Sequence, residues 1–375
     1  MKKLKIGFVI DDSIDRPDGV QQYLYSLSDY FRQKSHQVYF LSGQSSGRID
    51  DSFSLATNLK VRFNRNILSI PIYANKIKIK KTLAELELDI LHFQLPFSPI
   101  LSRQIIKLSP HTAKVATFHI YSERKLEIIG SKLLNLTIQQ SLKQLDLIYA
   151  LSGPAQQFAL DNFKIKSQIK PVPINLTKFK FQPIKTQSLV KIVFLGRLVK
   201  RKNCQLFLQA FHQLVISQSN LNFQAIIIGD GPLRTSLEKL TASYNLTSQV
   251  EFVGFVDELT KFKLLRQADL AVFPSLGSES FGIVLLEALA AKHPIVLASN
   301  NPGYSFVLKS LTDNLFDPTN ANQLAAKMVK LLIDGQLVQR TLNKQLQLIK
   351  HFDIQIIGDE ILDDYNKILR KSLKS

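Results

Sequence analysis

A single cysteine, Cys204, among 375 residues has nothing to pair with, which excludes an internal disulfide framework and a thiolate-ligated zinc site and fits a reducing, cytoplasmic compartment. Long apolar runs are missing too. The longest candidate, FGIVLLEALAAKHPIVLAS, is broken by Glu287 and Lys292, short of the roughly 18 apolar residues of a membrane span, so any membrane contact is expected to be peripheral. The opening MKKLKIGFVIDD has the lysines of a leader but not its core, because Asp11 and Asp12 end the run, and it reads as a first β-strand. No GxGxxG follows a strand, which disfavours a hydride-transferring dinucleotide enzyme. Zinc-finger spacing, RNP-like aromatics and an Arg/Lys-rich tail are also absent, so nucleic acid is not the expected partner.

Acidic residues are in short supply. The chain carries 30 Asp and Glu against 48 Lys and Arg, a net charge of +18, and residues 1–180 hold 26 of the cations against 14 of the acids. A basic N-terminal half favours anionic lipid or another polyanion, although a merely soluble basic protein has the same composition.

With 45% hydrophobic residues the chain can bury a sizeable core, and its length exceeds what one core comfortably fills, so two domains are expected. Short apolar runs alternate with helical patterns. KIGFVI, a helix from Val20 to about Lys34, QVYFLS, LDILHF, KVATFHI and LDLIYALS form a first series. KIVFLGR, a helix from about Gln205 to Ser217, FQAIIIGDG, a helix from Pro232, QVEFVGFV, DLAVFPS, a helix from Phe281 and HPIVLAS form a second. Such alternation implies parallel sheets with helical crossovers. The expected fold is α/β: two doubly wound, Rossmann-like domains over 1–175 and 187–353, joined through the proline-bearing segment near 173–190, with an amphipathic helix over 354–373. Ligands bind at the strand C-terminal edges of such sheets, so an inter-domain cleft is the default site.

The strongest chemical signal is SLGSESFGIVLLEALAA, where Glu279 and Glu287 stand eight positions apart around Phe281 and Gly282 at the turn into a helix. This spacing puts the second carboxylate about two turns into the helix, so that one acid can face a sugar and the other reach a ribose, with the helix N–H groups available to a diphosphate, although a capping acid and a solvated glutamate on an ordinary helix have the same spacing. FLGRLVKRKN supplies Gly196 for a tight turn and two cations, Arg197 and Lys202, to converge on a diphosphate, with Lys200 and Arg201 expected to be solvated. Gly229 opens GDGPL, a turn that also suits plain loop chemistry. Val256 ends FVGFV, a stretch able to offer backbone groups to a base or simply to serve as a core strand. Gly19 follows Asp18 at the start of a helix, a backbone anion site. His119 closes KVATFHI, with His92 and His111 as rivals.

Taken together, Gly19, His119, the Gly196-Arg197 pair, Lys202, GDGPL and the E-x7-E of Glu279 and Glu287 resemble the family 4 retaining glycosyltransferases of GT-B fold, over nearly the whole chain. DGVQQY, ATFH and SESFGIVL, in that order, resemble bacterial phosphatidylinositol mannosyltransferases within that family. By that resemblance Arg197 and Lys202 bind the donor diphosphate beside the backbone at Gly19. Glu279 holds the transferred hexose, Glu287 the ribose, Val256 and Lys261 lie against the base, and Gly229, Ser280, Phe281, Gly282 and Ile283 join them in binding the donor. His119 sits beside the reacting sugar, the last helix returns to the N-terminal domain, and neither metal nor cofactor is required. The resemblance also implies docking on the inner face of the membrane by a polybasic segment, to which Lys76, Lys78, Lys80 and Lys81 of NKIKIKKTL correspond. Their alternation with Ile reads as a strand, while Ile79, Leu83 and Leu86 share a helical face. Asp18 in place of the first glycine of a Gly-Gly pair, Asp12 in place of a tyrosine, and PINL in place of Pro-Asn-Gly depart from the pattern on the acceptor side. The expected activity is transfer of mannose or glucose from a GDP- or UDP-sugar to a lipid-linked or glycan hydroxyl. A polysaccharide or soluble-acceptor transferase, an idle nucleotide- or glycan-binding protein and a nucleotide-sugar epimerase are the alternatives.

Overall fold

The computed structural model describes residues 2–15, 18–63, 66–178 and 189–372. The chain divides into two compact units, Met1–Pro173 with Ile354–Ser375, and Ile174–Asp353. Most of the segment between the two sheets, residues 179–188, lies outside the described residues, as does Leu373.

The first unit runs β1 (Lys5–Ser13), α1 (Gly19–Gln33), β2 (Gln37–Gln44), β3 (Ser52–Ser54), β4 (Ala56–Phe63) and β5 (Asn66–Ala74). It continues α2 (Lys76–Leu86), β6 (Ile90–Leu95), α3 (Leu101–Leu108), β7 (Ala113–Phe118), α4 (Lys125–Leu142), β8 (Leu147–Ala150), α5 (Gly153–Phe163) and β9 (Gln168–Ile169). The sheet order is β3-β2-β1-β6-β7-β8-β9, every pair parallel. Strands β6 and β7 are buried at every position, as strands covered by helices on both faces must be. β4 and β5 form a separate antiparallel pair.

The second unit repeats the plan: β10 (Leu189–Leu195), α6 (Cys204–Ser217), β11 (Asn222–Ile228), α7 (Arg234–Ser243), β12 (Val250–Gly254), α8 (Glu258–Arg266) and β13 (Leu270–Phe273). α9 (Ile283–Ala290), β14 (Ile295–Ser299), α10 (Pro302–Val307), β15 (Leu315–Phe316), α11 (Ala321–Ile333) and α12 (Gly335–Lys350) complete it. Its parallel order is β12-β11-β10-β13-β14-β15, so the strand order reverses between β10 and β13. That switch point opens a crevice at the strand C-terminal edges, where the loops after β10 and β13 meet.

The last helix, α13 (Ile354–Ser372), belongs to the first unit. It is clamped there by buried polar contacts: Tyr365 Oη lies 2.5 Å from His92 Nδ1, and Tyr149 donates to Asp364 at 3.1 Å. Lys170 pairs with Glu360 at 2.6 Å, and Tyr30 donates to Asp359 at 2.7 Å. Gly358 lets the helix seat on Tyr30, whose ring carbons would stand 2.4 Å and 2.5 Å from an added Cβ. Among the described residues no helix is long and apolar enough to cross a membrane.

Candidate active site

The site in the second unit is built on the two loops at the switch point. β10 ends at Leu195, and the chain turns through Gly196 and Arg197 into a single 3-10 turn, Lys200–Lys202. Gly196 faces the aliphatic part of Lys202, whose Cγ and Cδ would each lie 3.7 Å from an added Cβ. β13 ends at Phe273, and the loop that follows carries Glu279. Leu276 N–H donates to the Arg201 carbonyl at 2.9 Å and ties the two loops together.

Glu279 accepts from Lys202 Nζ at 2.8 Å and from Arg201. Its side chain is 10% exposed and that of Lys202 15%. Burial pushes the Glu279 carboxyl up, but the attraction of Lys202 and Arg201, with hydrogen bonds from Lys202 and Ser275, outweighs it and holds the group below the usual range. Burial likewise pulls Lys202 down, and the Glu279 carboxylate more than restores it. Both partners are therefore charged at neutral pH. Arg201, expected from the sequence to be solvated, is instead part of this cluster, because the 3-10 turn brings its side chain onto the same carboxylate as that of Lys202. Arg197 is exposed.

Glu287 makes a second pair, with Lys261 Nζ at 2.5 Å. α9 starts at Ile283 rather than at Phe281, so Glu287 sits little more than one turn into the helix and Glu279 lies on the preceding loop. Gly282, at φ 111°, makes the turn between them. Burial raises the Glu287 carboxyl, and Lys261 only partly offsets the rise. Lys261 is on α8, so the structure brings Lys261 and Glu287 together as a pair of their own beside the cluster of Lys202, Arg201 and Glu279, while Val256 lies half-buried two residues before that helix.

Three further residues hold this arrangement. Ser275 and Tyr304, both buried, hydrogen-bond each other at 3.1 Å behind Glu279. Gly303, near the start of α10, passes under the Glu279 loop: an added Cβ would stand 2.2 Å from the Glu279 carbonyl oxygen and 2.9 Å from the Phe281 nitrogen. The sequence signal for Gly303 and Tyr304 is NPGYS, an Asn-Pro-Gly helix start after the Glu279–Glu287 motif. Gly229, at φ 127°, and Gly231 likewise serve backbone approach, since added Cβ atoms would lie 2.2 Å from the Gly196 carbonyl oxygen and 2.5 Å from that of Leu198. GDGPL therefore buttresses the Gly196-Arg197 turn.

In the first unit Gly19 begins α1, with Asp18 in the N-cap position, and is exposed. Asp11, half-buried at the end of β1, accepts from Ser98 N–H at 2.5 Å and from Ser102 Oγ at 2.6 Å, so it ties down the start of α3. His119, after β7, is 8% exposed. Gln94 donates from its amide nitrogen to the His92 carbonyl at 3.2 Å, which leaves Gln94 Oε1 to accept from His119 Nε2 at 2.7 Å. His119 is thus the Nε2–H tautomer and keeps Nδ1 as its acceptor. Lys76, Lys78, Lys80 and Lys81 are exposed on α2, with Ile79 buried beneath them, so the segment is a helix and not a strand. Among the described residues no group of three or more His, Cys, Asp or Glu is placed to hold a metal ion.

Burial holds both His92 and His119 down to about 3, against 6.5 for a free imidazole, with His119 adding to the effect on His92. Between those values the unfolded chain binds more protons than the folded one, so stability must fall as pH drops through that window. Thermal melts at stepped pH should show a melting temperature that declines below about pH 6.5, whereas a value unchanged down to about pH 4 would contradict the neutral assignment.

The chain matches two protein-family models, Glycosyltransferase Family 4 over residues 17–174 and Glycosyl transferases group 1 over residues 177–347. It is 25% identical to a phosphatidyl-myo-inositol mannosyltransferase of Mycolicibacterium smegmatis, over 99% of this chain and 96% of that protein. A protein of the same name from Propionibacterium freudenreichii is 24% identical over 96% of this chain and 94% of its own length. Among solved structures, a glycosyltransferase from Rickettsia africae superimposes with a TM-score of 0.74 at 18% identity, covering 97% of this chain and 99% of that one. Anabaena HepE in complex with UDP and glucose gives 0.74 at 15% identity, covering 97% of this chain and 100% of its own. Both share the fold described above.

Proposed function

The chain belongs to the glycosyltransferases, of GT-B fold with a family 4 domain followed by a group 1 domain, and from that premise we propose that it transfers a hexose from a nucleoside diphosphate sugar to a hydroxyl of a lipid-linked acceptor, with retention of configuration. Mannose is the sugar favoured by the names of the full-length relatives. The observation that carries the reading is the convergence of Lys202 and Arg201 on the buried Glu279 beside α9.

A diphosphate competes for the cations that Glu279 holds, and offers them more negative charge. As the bond between sugar C1 and the diphosphate oxygen breaks, Lys202, Arg201 and Arg197 meet the charge that collects on the leaving oxygens, and the N–H groups at the start of α9 add to them. Glu279, released, accepts from sugar hydroxyls, and Glu287 with Lys261 receives the ribose and base. The acceptor oxygen bonds to C1 on the face the diphosphate leaves, and its proton passes to the departing phosphate oxygen, so no protein nucleophile is needed. His119, neutral, keeps Nδ1 as an acceptor in the first unit. Neither metal nor cofactor enters this scheme.

Incubation with GDP-mannose or UDP-glucose and vesicles containing phosphatidylinositol, followed by NMR of the glycolipid, tests it. An α-linked product from an α-linked donor is expected. A β-linked product would remove retention. Turnover only with a soluble glycoside would give the acceptor to the polysaccharide alternative, and donor isomerised without acceptor would mark an epimerase.

A further inference from the structure

The consecutive helices α11 and α12 of the second unit pack on each other and carry Lys327, Lys330, Arg340, Lys344 and Lys350 without a single Asp or Glu. Exposed helix faces usually mix the two signs, because an acid three or four residues from a lysine supports a helix and a like charge at that distance opposes it. Here four of the cations gather on one cavity. Lys327, Lys330 and Leu331 share a face of α11, and Leu337, Arg340, Thr341 and Lys344 form one stripe of α12. Both sets line a cavity of about 210 Å³, which Leu311 and the 3-10 turn Thr312–Asn314 also border.

The walls of this cavity are fixed. Asn314 donates from its side-chain nitrogen to the Val296 carbonyl at 2.8 Å, and Gln345, next to Lys344, accepts from Val296 N–H at 2.8 Å, so the turn and α12 are pinned to the same residue of β14. Lys327 Nζ donates to the Asp313 carbonyl at 2.6 Å and has two more N–H groups to offer. Among the described residues none of the four cations is in an ion pair, and the one acid on the cavity, Asp313, is exposed. Like charges gathered in a concavity beside leucines repel one another with less screening than on an open surface, and a bound anion turns that repulsion into charge-assisted hydrogen bonds. Three or four donors of one sign around a small space suit a phosphate, which carries a charge of about −2 and three or more acceptor oxygens.

The cavity is also apart from the site already described. Val296 is near the start of β14, and the 3-10 turn leads into β15, which runs parallel to β14, so the cavity lies toward the N-terminal edge of the sheet. Lys202 and Glu279 stand on loops that follow the opposite ends of β10 and β13.

We propose that this cavity binds a phosphate dianion, free or as the monoester of a small organic molecule, with Lys327, Lys330, Arg340 and Lys344 on its oxygens and any carbon skeleton against Leu331 and Leu337. Calorimetric titration of the full chain with inorganic phosphate and with glycerol 3-phosphate, at constant ionic strength, is the test. Saturable binding is expected, and Arg340→Gln/Lys344→Gln should weaken it by about tenfold or more, the worth of lost charge-assisted hydrogen bonds. The same variant should melt no lower than the wild type, because it removes like charges from an exposed stripe. Lys202→Ala should keep the binding. Tighter binding of glycerol 3-phosphate assigns the cavity to an organic phosphate, and equal binding assigns it to the free ion. Wild-type affinity in Arg340→Gln/Lys344→Gln would overturn the proposal, as would loss of the binding in Lys202→Ala, or no saturable binding of either probe by the wild type. Neither probe is a sugar donor, so the result stands apart from the sugar-transfer reading.

Discussion

Lys202→Ala is expected to lower kcat by about a hundred- to a thousandfold at saturating donor, the usual effect of removing one preorganised charge from a leaving group. The substitution removes a buried ammonium held at 2.8 Å from Glu279 and leaves that carboxylate to Arg201 alone. Arg201 is the more exposed of the two cations, at 30% against 15%, so solvent screens it more and it replaces Lys202 poorly. The variant should also lose stability, since an acid that burial opposes has lost its main counter-charge. Loss of stability alone is separable: Lys202→Met keeps the stem packed against the Gly196 turn and should lose the same kcat. Pre-steady-state turnover by both variants is the measurement, and wild-type kcat in either one would remove Lys202 from the chemistry.

Gly303→Ala is the second large effect, although residue 303 touches neither cation. A methyl group there would stand 2.2 Å from the Glu279 carbonyl oxygen and 2.7 Å from its carbonyl carbon. Those are backbone atoms, so nothing flexible can move aside, and the whole Glu279 loop has to shift. Leu276 is hydrogen-bonded to Arg201, so the shift is transmitted to the loop that carries Lys202. A displacement of about 1 Å in a positioning element costs about a hundredfold in rate. kcat should fall by that order, and the variant should also melt at a lower temperature. Gly335→Ala, whose added methyl meets nothing within 4 Å, is the control that should leave both unchanged.

The sheets were legible because central strands are short, continuous apolar runs, as in LAVF and IVLA, buried at every position beneath helices on both faces. The β4–β5 hairpin was not: Asn58 and Lys60 break one strand and Pro71 the other, and the pair depends on a register shift between Thr57 and Asn58 that no local pattern announces. α4 was hidden for a related reason. Its inner face mixes Ser131, Asn135 and Ser141 with Ile138 and Leu142, while Leu126, Ile129, Leu133 and Leu136 face outward, so apolar periodicity alone does not tell which side meets the core. At the site, Glu279, Glu287 and Lys202 stood out by residue type and spacing, and the structure puts each of them in an ion pair, whereas Arg197 is exposed. Arg201, Ser275, Gly303 and Tyr304 did not stand out, since their part is fixed by which loops meet at the switch between β10 and β13.

The most direct measurement of the central claim is calorimetric binding of GDP-mannose, GDP, UDP-glucose and UDP to the wild type and to Lys202→Ala. Diphosphate nucleotides should bind the wild type, and Lys202→Ala should weaken them by about tenfold or more, the worth of one charge-assisted hydrogen bond. Nucleotide affinity unchanged in Lys202→Ala, or no nucleotide binding by the wild type at all, would contradict the account.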